Sequence, residues 1–352
     1  MTVSAFDHPY LSGLVGDDEI AAMLGSEAEI GAMLAFETAL ARAEAKHAVI
    51  PPKTAEAIGA ALASFKPDIG RLRDSTARDG VVVPELVRQL RLAVGVPYAK
   101  HLHFGATSQD VIDTTKMRML APVLANFDRR LAKIDKLFAD LDSRFGTNPL
   151  MGRTRMQAAI PITVGDRIEN WRAPLLRHRS RLETLKPLLL VLQFGGAAGT
   201  LEKLGDRASS VRKTLAEELG LGDVPQWHSQ RDRIADLAGW LSLVTGSLGK
   251  FGQDIALMAE AGDEISLRGG GGSSAMPHKQ NPVAAELLVT LARFDAVQLS
   301  GIHQALVHEQ ERSGTAWTLE WLILPQMIMA TAAGLRIAGE LLGNIERLGR
   351  SA

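Results

Sequence analysis

From Leu120 the apolar residues fall at Leu120, Leu124, Phe127, Leu131, Ile134, Phe138, Leu141 and Phe145, in alternating steps of four and three. A strand would repeat every second residue, so this stretch must be one long helix with a narrow apolar seam. The same spacing returns at Ile234, Leu237, Leu241, Val244, Leu248, Phe251, Ile255 and Met258, which predicts a second helix of the same type. A narrow seam is buried only against other seams, so a bundle is the expected packing. Further helical stretches at about 162–190, 282–307 and 316–347 bring the expectation to roughly five long helices between residues 108 and 348.

Residues 1–105 differ. Shorter helical patches around 17–24, 27–47, 52–64 and 84–93 are interrupted by Pro51-Pro52, by Lys-Pro-Asp-Ile-Gly at 66–70 and by Gly-Val-Pro at 95–97. We expect a small N-terminal helical domain over 1–105 and a central long-helix domain over 106–348. Aromatic residues are only 5% of the chain and β-branched runs bounded by turns are scarce, so the fold class is all-α, with no parallel sheet. With 46% hydrophobic residues, seams of this length would leave an apolar stripe exposed unless copies associate, so a homo-oligomer is expected.

Lys plus Arg number 39 and Asp plus Glu 40, a net charge of −1 that argues against a polyanionic partner such as nucleic acid. There is no cysteine, which excludes disulfides, thiolate metal sites and a thiol nucleophile. The N-terminal MTVSAFDHPYLSG has neither a basic nor an apolar leader region, and no uninterrupted apolar run approaches a membrane span. A cytoplasmic protein with no membrane partner is expected. No metal-ligand cluster or dinucleotide fingerprint is present, and no cofactor is expected.

Chemistry is concentrated in the segment from Arg268 to Pro282, RGGGGSSAMPHKQNP. Four successive glycines give a pliant loop, and Ser273, Ser274, His278, Lys279 and Asn281 crowd the start of the next helix. Free backbone N–H groups there suit a carboxylate. A nucleotide phosphate loop would need Gly-Lys followed by Ser or Thr, which does not occur.

The stretch from Gly272 to Pro282 resembles, without a gap, the signature loop of the fumarase/aspartase superfamily. Two upstream superfamily regions follow in the expected order, His103-Phe-Gly-Ala-Thr-Ser-Gln-Asp110 and Gly152-Arg-Thr-Arg-Met-Gln-Ala-Ala-Ile-Pro161. The resemblance implies a homotetramer with a core of long helices, in which the three regions come from different subunits to form composite active sites. It also implies that a C-terminal helical domain found in many relatives is absent here.

Most members of that superfamily eliminate an amine, a ureido group or water. A base on the Gly-rich loop takes a proton α to a carboxylate, and a His-based acid protonates the leaving group. In those relatives the second region reads G-R-T-H-x-Q, whereas this chain has Arg155 at the His position. A carboxylate oxygen, with a pKa near about 4, needs no such acid as leaving group or nucleophile. Together with Gln280 and the stretch from His308 to Trp321, this departure resembles the 3-carboxy-cis,cis-muconate cycloisomerases of the superfamily, which act in the protocatechuate branch of the β-ketoadipate pathway.

The resemblance implies a small tricarboxylate substrate, with Lys279 as proton donor and Ser273 as the second candidate. Arg155, Arg312, Thr107, Ser108 and Asn281 would hold the three carboxylates, with Gln157 and Ser274 lining the site. His103 either positions a carboxylate or is structural. Glu286, often the partner of the family His, is read as structural and as a partner for Arg155. Two alternatives stay open: an adenylosuccinate lyase-type C–N lyase, and a catalytically silent structural protein on the same scaffold.

Overall fold

The computed structural model describes residues 3–350 except 273, 274, 277 and 278. The N-terminal part carries α1 (Ser12–Val15), α2 (Asp18–Leu24), α3 (Ser26–Lys46), α4 (Pro52–Ala63), α5 (Ile69–Asp79) and α6 (Val83–Val94). Their starts are legible in local chemistry. Asp17 accepts from the Ile20 N–H at 3.1 Å, Asp68 accepts from the Arg71 N–H at 3.0 Å, and Pro52 occupies the first turn of α4, where its missing N–H costs nothing.

Next come α7 (Ser108–Phe145), β1 (Pro149–Thr154), β2 (Gln157–Thr163), α8 (Val164–Leu189), α9 (Ala208–Leu219) and α10 (Asp232–Ala261). The chain then runs through β3 (Ile265–Leu267), α11 (Val283–Gln304), α12 (Thr315–Gly343) and β4 (Ile345–Leu348). The five long helices α7, α8, α10, α11 and α12 form the bundle: α10 packs on α11, α8 and α12, and α7 packs on α8 and α12. Both apolar seams face inward. Seven of the eight positions from Leu120 to Leu141 and Phe145 are buried, Phe145 only partly, and all eight from Ile234 to Met258 are buried.

Burying one such Leu, Ile or Phe is worth about 1.5–3 kcal/mol relative to leaving it in water, so the seams dominate the fold's stability. Phe138, Trp171 and Phe251 interlock edge-on, with centroids 5.3 Å apart for Phe138–Phe251 and 5.2 Å for Trp171–Phe251. Glycine sets the closest helix approach. A Cβ on Gly252 would lie 2.5 Å from the Ala285 carbonyl oxygen, and one on Gly249 would lie 2.5 Å from the Ala292 Cβ. Only bare backbone lets α10 and α11 meet there.

A second apolar cluster gathers residues of α3, α4 and α6 with Val111 and Ile112 of α7, Leu192, Phe194, Val211, Leu215 and Trp317. The start of α7 is therefore clamped between both clusters. α12 is long and apolar enough to cross a membrane by length and composition, yet 72% of its most apolar window is buried inside the fold, as befits a core helix.

Three features depart from the sequence expectations. Residues 149–163 form an antiparallel hairpin, with Arg155 and Met156 at the turn at φ 48° and 67°. The Lys-Pro-Asp-Ile-Gly segment starts α5 instead of merely interrupting the chain, because Asp68 caps it. The last helix stops at Gly343, and Ile345–Leu348 pairs antiparallel with β3.

Candidate active site

At the N-terminus of α7 the chain builds a closed polar junction. Thr107 is the N-cap, and Ser108 is the first helical residue. The Asp110 carboxylate accepts five hydrogen bonds: from the Thr107 N–H (3.0 Å), Gln193 Nε2 (3.1 Å), the Gly195 and Gly196 N–H groups (2.9 Å each) and His228 Nε2 (2.9 Å). A fully buried carboxylate is tolerated only when its lone pairs are satisfied in this way.

One turn on, Asp113 meets Arg231. The guanidinium reaches Asp113 at 2.7 and 3.1 Å and Glu320 at 2.7 and 2.6 Å, with all three side chains at most 1% exposed. Lys116 adds a contact to Glu320 at 3.3 Å, and Trp317 Nε1 donates to Asp113 at 3.1 Å. Burial alone would raise Glu320 and Asp113, but Lys116 and Arg231 outweigh it and hold both carboxyls below the usual range. This cluster ties α7, α10 and α12 together at one end of the bundle.

Arg312 joins the junction. Its Nη1 donates to Thr107 Oγ1 at 2.9 Å, and its Nη2 donates to the carbonyls of Ala197 (2.6 Å) and Gly196 (3.3 Å). The structure thus brings Thr107, Ser108 and Arg312 together within one chain. His103 is anchored nearby in sequence, its Nδ1 lying 2.6 Å from Glu37 Oε1.

Arg155 and Gln157 sit elsewhere, at the tip of the hairpin and exposed. α7 has 38 residues, about 57 Å at 1.5 Å per residue, and it separates Thr107 from the hairpin. Arg155 lines a cleft of about 630 Å³ with Arg153, Arg167, Asn170 and Lys250. Glu286, exposed in the first turn of α11, forms no ion pair with Arg155 within the chain, so the expected Arg155–Glu286 contact does not occur there. The two belong to separate elements, the hairpin turn and the first turn of α11.

The Gly-rich loop lies at the hairpin's end of the bundle, since it follows α10 and β3, and Glu264 between them accepts from the Met151 N–H at 3.0 Å. Gly271 and Asn281 exchange backbone hydrogen bonds of 3.0 and 2.9 Å that close the base of the loop. A Cβ on Gly271 would come within 2.5 Å of Val283 Cγ2, so this base requires glycine. Lys279 is exposed, and its N–H donates to the Met276 carbonyl at 3.0 Å. Ser273, Ser274 and His278 lie outside the described residues.

Sequence reasoning assigned no role to Asp113, Arg231 or Glu320, nor to Asp110 beyond its place in the motif. One signal was available: Asp110 and Asp113 stand three apart within an otherwise buried helical face, where an acid survives only with partners. Nothing local pointed to Arg231, which is 118 residues from Asp113.

Known proteins are similar to this chain in sequence and in overall fold. A family model described as Lyase matches residues 17–295. The chain is 41% identical over 333 residues to the 3-carboxy-cis,cis-muconate cycloisomerase of Pseudomonas aeruginosa, covering 92% of this chain and 72% of that protein. The crystal structure of the 3-carboxy-cis,cis-muconate lactonizing enzyme from Pseudomonas putida superposes with a TM-score of 0.90 at 38% identity, covering 97% of this chain and 77% of that one. The adenylosuccinate lyase of Pyrococcus abyssi is 31% identical, covering 98% of this chain and 77% of that protein. With the long-helix bundle, the three motifs and these matches in agreement, the chain belongs to the lyase family of the fumarase/aspartase superfamily.

Proposed function

We propose that this chain is a cycloisomerase that closes 3-carboxy-cis,cis-muconate to a carboxymuconolactone. The observation that carries the reading is Arg155 at the hairpin tip, where an acid-using lyase of the superfamily places His. An always-charged guanidinium cannot protonate a leaving amine, but it binds carboxylates in bidentate fashion. The relatives of about 40% identity that carry the cycloisomerase name support the same choice.

In the proposed reaction one substrate carboxylate oxygen forms a bond to a diene carbon, and the displaced electron pair moves onto the carbon α to another carboxylate. The developing charge on that aci-carboxylate is held by Arg155, Arg312 and Asn281, with Thr107 and Ser108 at the positive end of α7. Lys279 delivers a proton to the α carbon, Ser273 being the second candidate, and regains one from solvent. Trianion plus one proton gives a dianionic lactone, so charge balances.

The assembly is a homotetramer in this reading, and the geometry of one chain asks for partners. Thr107 and Arg312 occupy the opposite end of a helix of about 57 Å from Arg155. Only another copy, running antiparallel, could bring both ends to one substrate. Leu188, Leu243, Val297 and Leu322 are exposed along bundle helices, and Ile160 on the two-stranded hairpin is 66% exposed, which suits burial between copies. The compartment is the cytoplasm.

The test is an assay of the purified protein on 3-carboxy-cis,cis-muconate, following loss of the conjugated-diene absorbance, with adenylosuccinate in parallel. Loss of the diene alone is expected, and Arg155→His should slow it at least about tenfold. Turnover of adenylosuccinate in place of the muconate would replace the reading with the C–N lyase, and turnover of neither would favour a silent scaffold.

A further inference from the structure

Beneath the first motif lies a buried group that the reaction above does not use. Glu37 and Glu44 stand two turns apart on α3 and are 1% and 0% exposed. Glu37 Oε1 lies 2.6 Å from His103 Nδ1, while Glu37 Oε2 and both Glu44 oxygens have no hydrogen-bond partner among the described residues. His103 itself adopts φ 62°, a left-handed conformation that is costly for a side chain with a Cβ. Its neighbour Leu102 is buried, and the Leu102 carbonyl accepts from Arg91 Nη2 at 3.1 Å. The backbone is thus held in a strained form that keeps the imidazole against Glu37.

We propose that Glu37 is a positioning residue that keeps His103 as an imidazolium, so that the ring offers substrate a fixed, positively charged donor. Among the described residues nothing bonds to His103 Nε2, and the side chain keeps 14% exposure. With Nδ1–H committed to Glu37, Nε2–H is the free donor, on the far side of the ring. The matching ligand chemistry is one carboxylate of a polycarboxylate.

The surrounding charges favour this state. Facing the ring are Glu37 and, behind it, Glu44 from α3, Arg91 from α6 and Asp110 from α7. Burial disfavours the imidazolium and Arg91 opposes it, but the Glu37 charge and hydrogen bond, with help from Asp110, outweigh both and raise His103. Burial and the adjacent Glu37 push Glu44 up to about 9, so it stays protonated at neutral pH. One carboxylate then faces one imidazolium, and the buried group as a whole is neutral.

The inference rests on the proposed function for the identity of the substrate, though not for the charge on His103. Kinetics on 3-carboxy-cis,cis-muconate would be compared for wild type, Glu37→Gln, His103→Gln and the double variant. Near pH 8, Glu37→Gln should raise KM about tenfold while changing kcat less than about threefold, and the defect should shrink as pH falls and solvent protons take over the role of Glu37 in charging the ring. The double variant should be no worse than His103→Gln alone. A KM defect independent of pH, or additive losses, would overturn the proposal.

A second readout does not need turnover. In 15N-histidine-labelled wild type, the signals absent from His103→Gln should report both ring nitrogens protonated at about pH 8. A neutral tautomer there would reject the imidazolium. Failure of the muconate assay with a protonated His103 would reject the substrate and leave the charge assignment standing.

Discussion

The two ends of the bundle are built by opposite rules. At the start of α7 the fully buried charges are satisfied inside the chain: Asp110 takes five donors, and Arg231 is divided between Asp113 and Glu320. At the other end Arg155, Gln157 and Lys279 are exposed, and the hairpin that carries Arg155 turns Met156 to 72% exposure. A buried charge must be satisfied by its own fold before anything binds, whereas a charge intended for an anionic ligand or another copy must be left unspent. The first end is a finished scaffold that presents Thr107 and Arg312; the second is open, with Arg155, Gln157 and Lys279 exposed.

Mixing variants tests that contrast most severely. Arg312→Met damages the finished end and Lys279→Met the open end, and each alone should lose at least about a thousandfold in kcat/KM. Co-refolded together they should recover at least about a tenth of wild-type activity, because some composite sites draw their two ends from undamaged copies. Mixtures as inactive as the separate variants would mean that each site is made by one chain.

Stability should divide along the same line. Arg231→Met strands two buried carboxylates and should cost about 3–5 kcal/mol in urea unfolding. Arg155→Met, on the exposed turn, should cost less than about 0.5 kcal/mol while impairing turnover. Equal costs would remove the distinction between scaffold and open end.

A stability effect smaller than that of Arg231→Met is one of pH, at the buried pair on α3. Glu44 is held protonated in the fold at about 9, against an ordinary 4.5, while the unfolded chain ionises it freely. Its contribution to stability is therefore fully present below about pH 4.5 and is lost progressively as pH rises through about 9. Wild type should lose on the order of 2 kcal/mol from this group between about pH 6 and pH 8, and Glu44→Gln should flatten that slope. Parallel slopes would place a partner on Glu44 in solution.

How much could be read beforehand depended on range. The long helices were legible because a seam repeats locally: Leu120 to Phe145 and Ile234 to Met258 are nearly all buried as the spacing requires. The hairpin was not, because its turn is Arg155-Met156 at positive φ in place of the Asn-Gly that usually marks such a turn. Arg155 was legible as a departure from a family motif, but its exposure at the tip of a strand pair was not.

The sequence by itself determined an all-α bundle, the superfamily and the residue types available to bind a polycarboxylate. Periodicity and contiguous motifs are properties of neighbouring residues, and neighbours are what a sequence displays. Tertiary structure alone decided that Asp113, Arg231 and Glu320 close one cluster, that Glu37 lies against His103, and that Thr107 and Arg155 stand at opposite ends of one long helix. Those facts join residues 66 to 118 positions apart, or separate ones 48 apart, and only the packing of helices on helices fixes such distances.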